Sequence, residues 1–352
     1  MSEETRPRFT LVVTDSGPGG LSATLASVAA QTHPPADVEV LTSEGADLPT
    51  ARNEGLPRAR GSWVSFPEAG DTLAPGYLAR IADFLDEHPE ADLVAATRLV
   101  HDGEEHRNTH PLRYMFRDDP YVDLGADGQH FIAAASSAFF RLDRVRELDL
   151  AFDDRVQPVF GDDHFAIRYL LGTERPRVGF LGSARYRTTE PAEAADRSDL
   201  RRGTAALEHG LLDVVRRATA RGKLPSWLQS HLVFALADLV TLTDSQTPVG
   251  IPTGGPDADR FHAMVREILA AVDVDEAVPY LLAPIHRHAR MLLQHGFRDE
   301  PWHEPAVLLG PLDQQRRMVQ ASWYFTGDAA IEELRSAGLP VAPLHAKTRA
   351  FV

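Results

Sequence analysis

The amino-acid sequence predicts an α/β fold: a doubly wound, parallel-dominated sheet in the N-terminal part, followed by a mainly helical module that ends in a small β-element. Three observations carry this. The chain opens with an apolar run, a glycine turn and an apolar-striped helix; strand-like and helix-like segments then alternate with short connections to about residue 96; and beyond Pro191 the pattern turns helical. Alternation of this kind favours parallel strands with helices packed on both faces.

The elements follow in order. Phe9, Thr10, Leu11, Val12 and Val13 form a β-favouring run suited to a buried parallel strand. Residues 15–20 read DSGPGG, and Leu21, Leu25 and Val28 then recur at helical spacing. Residues 38–41 give a second strand after the Pro34-Pro35 break, and residues 63–66 a third. Residues 77–87 read as a helix closed by His88-Pro89, and Asp92 begins a further strand. Segments 199–221, 227–243, 259–272 and 277–295 all show helical periodicity, while 320–325 and 340–343 look like short strands. The expected division is a sheet domain over 1–195 and a helical accessory domain over 196–352.

Composition narrows the function classes. With 352 residues the chain holds about two domains on the usual prior of ~150 residues each. Its 43% hydrophobic and 25% charged residues are ordinary for a globular protein, and no apolar run approaches the ~20 residues that span a bilayer. The N-terminus, MSEETRPRF, lacks the apolar core of a signal peptide, so a cytoplasmic protein is expected. The absence of cysteine excludes disulfides, thiolate catalysis and cysteine-based zinc sites. A formal net charge of -15 argues against nucleic acid as a partner, because phosphate backbones demand a basic surface.

The chemistry concentrates between residues 51 and 78. Ala51-Arg52-Asn53-Glu54-Gly55 leads through Ala59-Arg60-Gly61 to the alternating Ser62-Trp63-Val64-Ser65-Phe66, and Glu68, Gly70 and Asp71 follow where a strand would end. In open α/β sheets ligands bind at such carboxyl ends. The glycine turn ending at Gly20 is either a plain tight turn or one facing a nucleotide; no lysine followed by Ser or Thr completes a phosphate loop there.

With Gln31-Thr32 at the end of the first helix, these segments occur in the order seen in family 2 glycosyltransferases of the GT-A, nucleotide-diphospho-sugar transferase fold, which the chain resembles. Further on, Phe152-Asp153, the run Gly161-Asp162-Asp163-His164-Phe165, and Tyr186-Arg187 look like the acceptor-side segments of the branch associated with teichoic-acid and CDP-glycerol polymer enzymes. His209-Gly210-Leu211-Leu212 and Tyr324-Phe325-Thr326-Gly327 are similar to the helical region and terminal β-element of that branch.

The resemblance implies inverting transfer of a sugar from a nucleotide-diphospho donor to a cell-envelope glycan or polyol-phosphate acceptor. Asp162 takes the place of the family's general base, with Asp163 as the alternative. Asp15, Ser43, Arg52, Asn53, Glu68, Asp71 and Arg187 fall at donor-binding positions. Mn2+ or Mg2+ is implied at the donor phosphates, with Asp71, Glu68 and His164 as ligands. Peripheral attachment at the inner face of the membrane and homo-oligomerisation are further implied.

The sequence departs from the family pattern at Gly70, where a metal-associated carboxylate is expected, and at Ser43 and Gly161, where acidic residues are expected. Three readings therefore stay open: an active transferase, a metal-independent transferase, and a GT-A module retained for binding or assembly.

Overall fold

A computed structural model describes residues 6–15, 20–33, 37–44, 47–101, 105–132, 134–156, 160–189, 204–242, 254–328 and 335–348. The chain divides into two compact units, 1–285 and 286–352. The boundary expected at 195/196 lies outside the described residues.

The larger unit is built on a mixed sheet. Its strands are β1 (Phe9–Asp15), β2 (Val38–Glu44), β3 (Trp63–Ser65), β4 (Thr72–Leu73), β5 (Leu93–His101), β6 (His106–Arg107), β7 (Tyr121–Asp123), β8 (Ala138–Arg141) and β9 (Arg177–Thr189). The order is β2-β1-β3-β8-β5-β9-β4, with β6 on β5 and β7 on β9. β1 runs parallel to β2 and β3, and β5 runs parallel to β9. β8 enters antiparallel between β3 and β5, and β4, β6 and β7 also pair antiparallel. The sheet is therefore mixed, with its longest ladders, β1 with β2 and β5 with β9, parallel. An apolar run marks a buried strand but does not state its direction.

Helix α1 (Leu21–Ala29) follows β1, α2 (Leu48–Gly55) follows β2, and α3 (Tyr77–Glu87) follows β4. Asp47 caps α2, its carboxylate accepting the Thr50 amide at 2.9 Å, and Pro49 sits in the first turn where no amide is needed. Tyr77, Leu78, Ile81, Ala82, Phe84 and Leu85 form the buried face of α3 and join Phe9, Leu11, Val13 and Phe139 in the core. Each such aliphatic side chain contributes about 1.5–3 kcal/mol by leaving water.

After β8 come α4 (Leu142–Glu147) and α5 (Gly161–Leu171). Helical segments Leu207–Leu212, Asp213–Thr219, Ser226–Leu242, Gly255–Ala270 and Val274–Tyr280 complete this unit. Among the described residues, no helix is long and apolar enough to cross a membrane.

In the smaller unit, a short helix over Arg287–Met291 precedes an antiparallel hairpin, Leu308–Asp313 with Met318–Ser322, and a second pairing of Arg335–Ser336 with Leu339–Pro340. The terminal β-element read from 320–325 and 340–343 is present, shifted by a few residues.

Candidate active site

The carboxylate segment is wired to β1 and α1. Ala69 N donates to Thr14 O at 2.9 Å, which holds the loop after β3 against the end of β1. From α1, Thr24 Oγ1 accepts the Gly70 amide at 3.0 Å and donates to Asp71 O at 2.7 Å. Ser27 Oγ accepts the Leu73 amide at 3.0 Å. Gln31 donates to Ala74 O and accepts from Leu78 N, both at 3.0 Å. Thr24, Ser27 and Gln31 lie three and four residues apart, on one helical stripe, which fastens residues 68–78 along its length. Gly20 is required by the same closeness: a Cβ there would stand 2.4 Å from Gly70 N. Residues 16–19 of the N-terminal glycine turn lie outside the described residues.

Around Arg52 the charges converge. The residue is fully buried; its Nη1 lies 2.5 Å from Asp162 Oδ1 and its Nη2 lies 3.1 Å from Glu68 Oε1. Its guanidinium also lies 4.7 Å from the centroid of the Phe152 ring. The other oxygen of Asp162 accepts the amides of Ala135 and Ser136 at 2.9 and 3.1 Å. One aspartate thus ties α2, the segment before β8 and the start of α5 together.

Burial alone would push the Asp162 carboxyl up, but Arg52 and the Ser136 amide outweigh it and hold the group below the ordinary range. Asp163 goes the other way: burial pushes it up, with His231 opposing. His231 Nε2 lies 3.4 Å from Asp163 Oδ2, outside good hydrogen-bond geometry, and both of its ring nitrogens are buried without a hydrogen-bond partner. Partial burial, with Asp162 and Asp71 nearby, pushes the half-exposed Glu68 up against the pull of Arg52.

The remaining expected site residues are placed as follows. Asp71 Oδ2 accepts the Tyr186 hydroxyl at 2.6 Å. Asn53 is engaged with backbone: its amide nitrogen donates to Phe152 O at 2.9 Å and its oxygen accepts Phe152 N at 2.8 Å. Asp15 and Ser43 lie in β1 and β2 at the same end of the sheet, Thr14 pairing with Ser43 and Asp15 with Glu44, but their side chains are outside the described residues. Arg187 pairs with Thr72 and Leu99, which puts it on the face opposite Tyr186. His164 Nε2 lies 3.1 Å from Asp213 Oδ2.

The divalent cation implied by the fold family does not fit the donor set described. Gly70 offers no side chain, Glu68 is paired with Arg52, and Asp71 is bonded to Tyr186. Among the described residues, no group of three His, Asp or Glu side chains is arranged to hold a metal.

Sequence reasoning missed Arg98, which begins the half-buried end of β5 after the buried run over 93–97, and the contact of His231 with Asp163. The signal for His231 is a titratable residue beside the buried Leu228, Leu232 and Val233 of its helix.

Residues 2–148 match the family described as glycosyl transferase family 2. Asp162, Asp163 and Arg187 lie beyond the matched segment. Over 251 residues, 68% of this chain, the sequence is 23% identical to the minor teichoic acid biosynthesis protein GgaB of Bacillus subtilis (strain 168). The chain spans about a quarter (26%) of that relative's length. The fold is similar to that of S. aureus TarS 1–349, with a TM-score of 0.57 at 15% identity, covering 82% of this chain and 86% of that one. The complex of TarS 1–349 with UDP-GlcNAc gives the same values. At that identity the likeness is one of fold.

Proposed function

With residues 2–148 forming a family 2 glycosyltransferase domain, we propose that the protein transfers a sugar from a nucleoside-diphosphate donor to a hydroxyl of a teichoic-acid-type polyol-phosphate polymer or cell-envelope glycan. The observation that carries this is the convergence of Glu68, Arg52 and Asp162 where β1 and β3 end, the place where open α/β sheets take their ligands. The polymer class follows GgaB, and the donor class follows the UDP-GlcNAc bound by TarS.

In the step proposed, the acceptor oxygen bonds to the anomeric carbon as the bond from that carbon to the diphosphate oxygen breaks. The hydroxyl proton passes to a carboxylate and the nucleoside diphosphate leaves. Asp162 is the acceptor of that proton: it is held ionised by Arg52 and anchored by two amides, so its position is fixed before substrate arrives. No step is routed through a metal.

A second reading is favoured by a specific observation. Asp162 has a hydrogen bond on each oxygen, whereas burial makes Asp163 the stronger base. Turnover of a panel of nucleotide sugars, UDP-GlcNAc included, is to be followed by release of the nucleoside diphosphate in the presence of a polyol-phosphate polymer. Loss of turnover by about a hundredfold or more in Asp162→Asn, with Asp163→Asn spared, supports the first assignment, and the reverse supports the second. No product from any donor would leave a GT-A module that binds or assembles without transfer, the reading favoured by Gly70.

A further inference from the structure

The helix over Ser226–Leu242 carries three buried polar residues in succession, Gln229, Ser230 and His231. Backbone satisfies the first two. Gln229 donates to Leu224 O at 3.1 Å and accepts the Asp273 amide at 2.8 Å, and Ser230 donates to Gly128 O. His231 is fully enclosed and has a hydrogen bond on neither ring nitrogen. A buried polar group normally has a partner, and one without is costly to hold.

The group that His231 faces is Asp163. Its Oδ2 lies 3.4 Å from His231 Nε2, just beyond hydrogen-bond range. Among the described residues the Asp163 side chain enters no other ion pair or hydrogen bond. The surrounding charges are committed elsewhere: Arg52 holds Asp162 and Glu68, while His164 and Arg217 share Asp213. Asp163 and His231 are left to each other.

Packing fixes the ring. It meets Phe131 edge-on, with centroids 5.1 Å apart and planes at 89°, and Phe131 packs in turn on Phe234 of the same helix at 5.5 Å. Close approach continues at Gly128, where a Cβ would stand 2.9 Å from the Ser226 side chain. The helix that carries His231 therefore also seats the segment leading to the Ala135 and Ser136 amides, which hold Asp162.

We propose that His231 is a positioning residue for Asp163: an imidazole N–H directed at Oδ2 fixes the orientation of that carboxylate, so that the helix over Ser226–Leu242 completes the centre begun by the sheet. This rests on the transferase function proposed above and deepens the reading in which Asp163 takes the acceptor proton. With Oδ2 engaged, Oδ1 receives the hydroxyl proton as the acceptor oxygen bonds to the anomeric carbon and the nucleoside diphosphate leaves. His231 is wholly enclosed and acts through Asp163 alone. Packing by itself would be served better by leucine, which leaves no polar atom unpaired.

Turnover and stability together test this. In the assay above, with UDP-GlcNAc and the other nucleotide sugars, His231→Leu lowers kcat by about tenfold or more, as a misplaced reacting group does, while the donor KM holds within about twofold. The melting temperature of His231→Leu does not fall. His231→Gln, whose amide nitrogen takes the place of Nε2, recovers kcat, and adding His231→Leu to Asp163→Asn lowers kcat no further. A role in packing alone predicts the opposite order, with leucine tolerated and glutamine harmful. The proposal is overturned if His231→Leu folds with unchanged kcat, if glutamine is no better than leucine, or if Asp163→Asn is spared. His231→Phe takes the place of His231→Leu should the latter not fold. If the unaltered protein turns over no donor, the transferase reading fails on its own and the pair is judged by urea unfolding. Coupling between Asp163→Asn and His231→Leu of about fivefold or more in the unfolding constant then keeps the pairing, and additive effects remove it.

Discussion

Arg52 and Asp162 stand 110 residues apart in the chain and 2.5 Å apart in the fold. The pair joins the family-matched segment to α5, which lies beyond it, and Arg52 is wholly enclosed while carrying the charge that holds Asp162 ionised. Replacing Arg52 with methionine strands a charge in a dry place. Destabilisation of about 3–5 kcal/mol is expected from a buried pair broken on one side, measured by urea unfolding with Arg52→Lys as a partial rescue. A loss under about 1 kcal/mol, the size of an exposed pair, would show the contact to be ornamental.

The two neighbouring aspartates are expected to respond to pH with opposite signs. Asp162 has a folded pKa below its unfolded value of ~3.9. Its contribution is therefore fully present above the unfolded value and is lost as pH falls through the folded one. Asp163 has a folded pKa above its unfolded value, so its ionisation costs stability increasingly as pH rises from the unfolded value through the folded one. Asp162→Asn should lower the melting temperature at pH 7 and flatten the acid limb, whereas Asp163→Asn should leave the melting temperature equal or higher. Scanning calorimetry between pH 3 and pH 8 checks both, and a drop of equal size in the two variants would contradict the assignment.

Asn53 binds backbone with both ends of its amide, so Asn53→Ala removes two partners from Phe152 at once. Loss of about 1–3 kcal/mol of stability is expected. Nucleotide affinity, measured on the variant while folded, should hold within about twofold, because a side chain spent on Phe152 has none left for a ligand.

Gly70 has φ +99 and nothing within 4 Å of the place a Cβ would occupy. Gly70→Asp therefore fits in space but not in backbone conformation. A cost of about 1–2 kcal/mol follows from the left-handed region alone. Calorimetric titration with manganese then asks whether the added carboxylate creates a cation site; a variant as stable as its parent would refute the conformational argument.

Much of the fold was legible because its signals are local. The run from Phe9 to Val13, the striped helix α3 and the order of Gln31, Asn53, Gly55 and Gly61 are written in single segments. The direction of β8 was not, since Ala138, Phe139 and Phe140 read alike whichever way the strand enters. Asp162 was visible as a residue, but two of its partners are amides of Ala135 and Ser136, which any sequence could supply. Asn53 was expected at the donor and is instead engaged with Phe152.

Gly55 and Gly61 have the same lesson in steric form. A Cβ on Gly55 would stand 2.4 Å from the Val12 side chain, and one on Gly61 would stand 2.7 Å from backbone atoms of Arg8 and Thr10. Together with Asn53 and Gln31, these residues are demanded by the scaffold whether or not a substrate ever arrives. Losing a ligand would release none of them from these contacts, so they mark the fold and not the reaction.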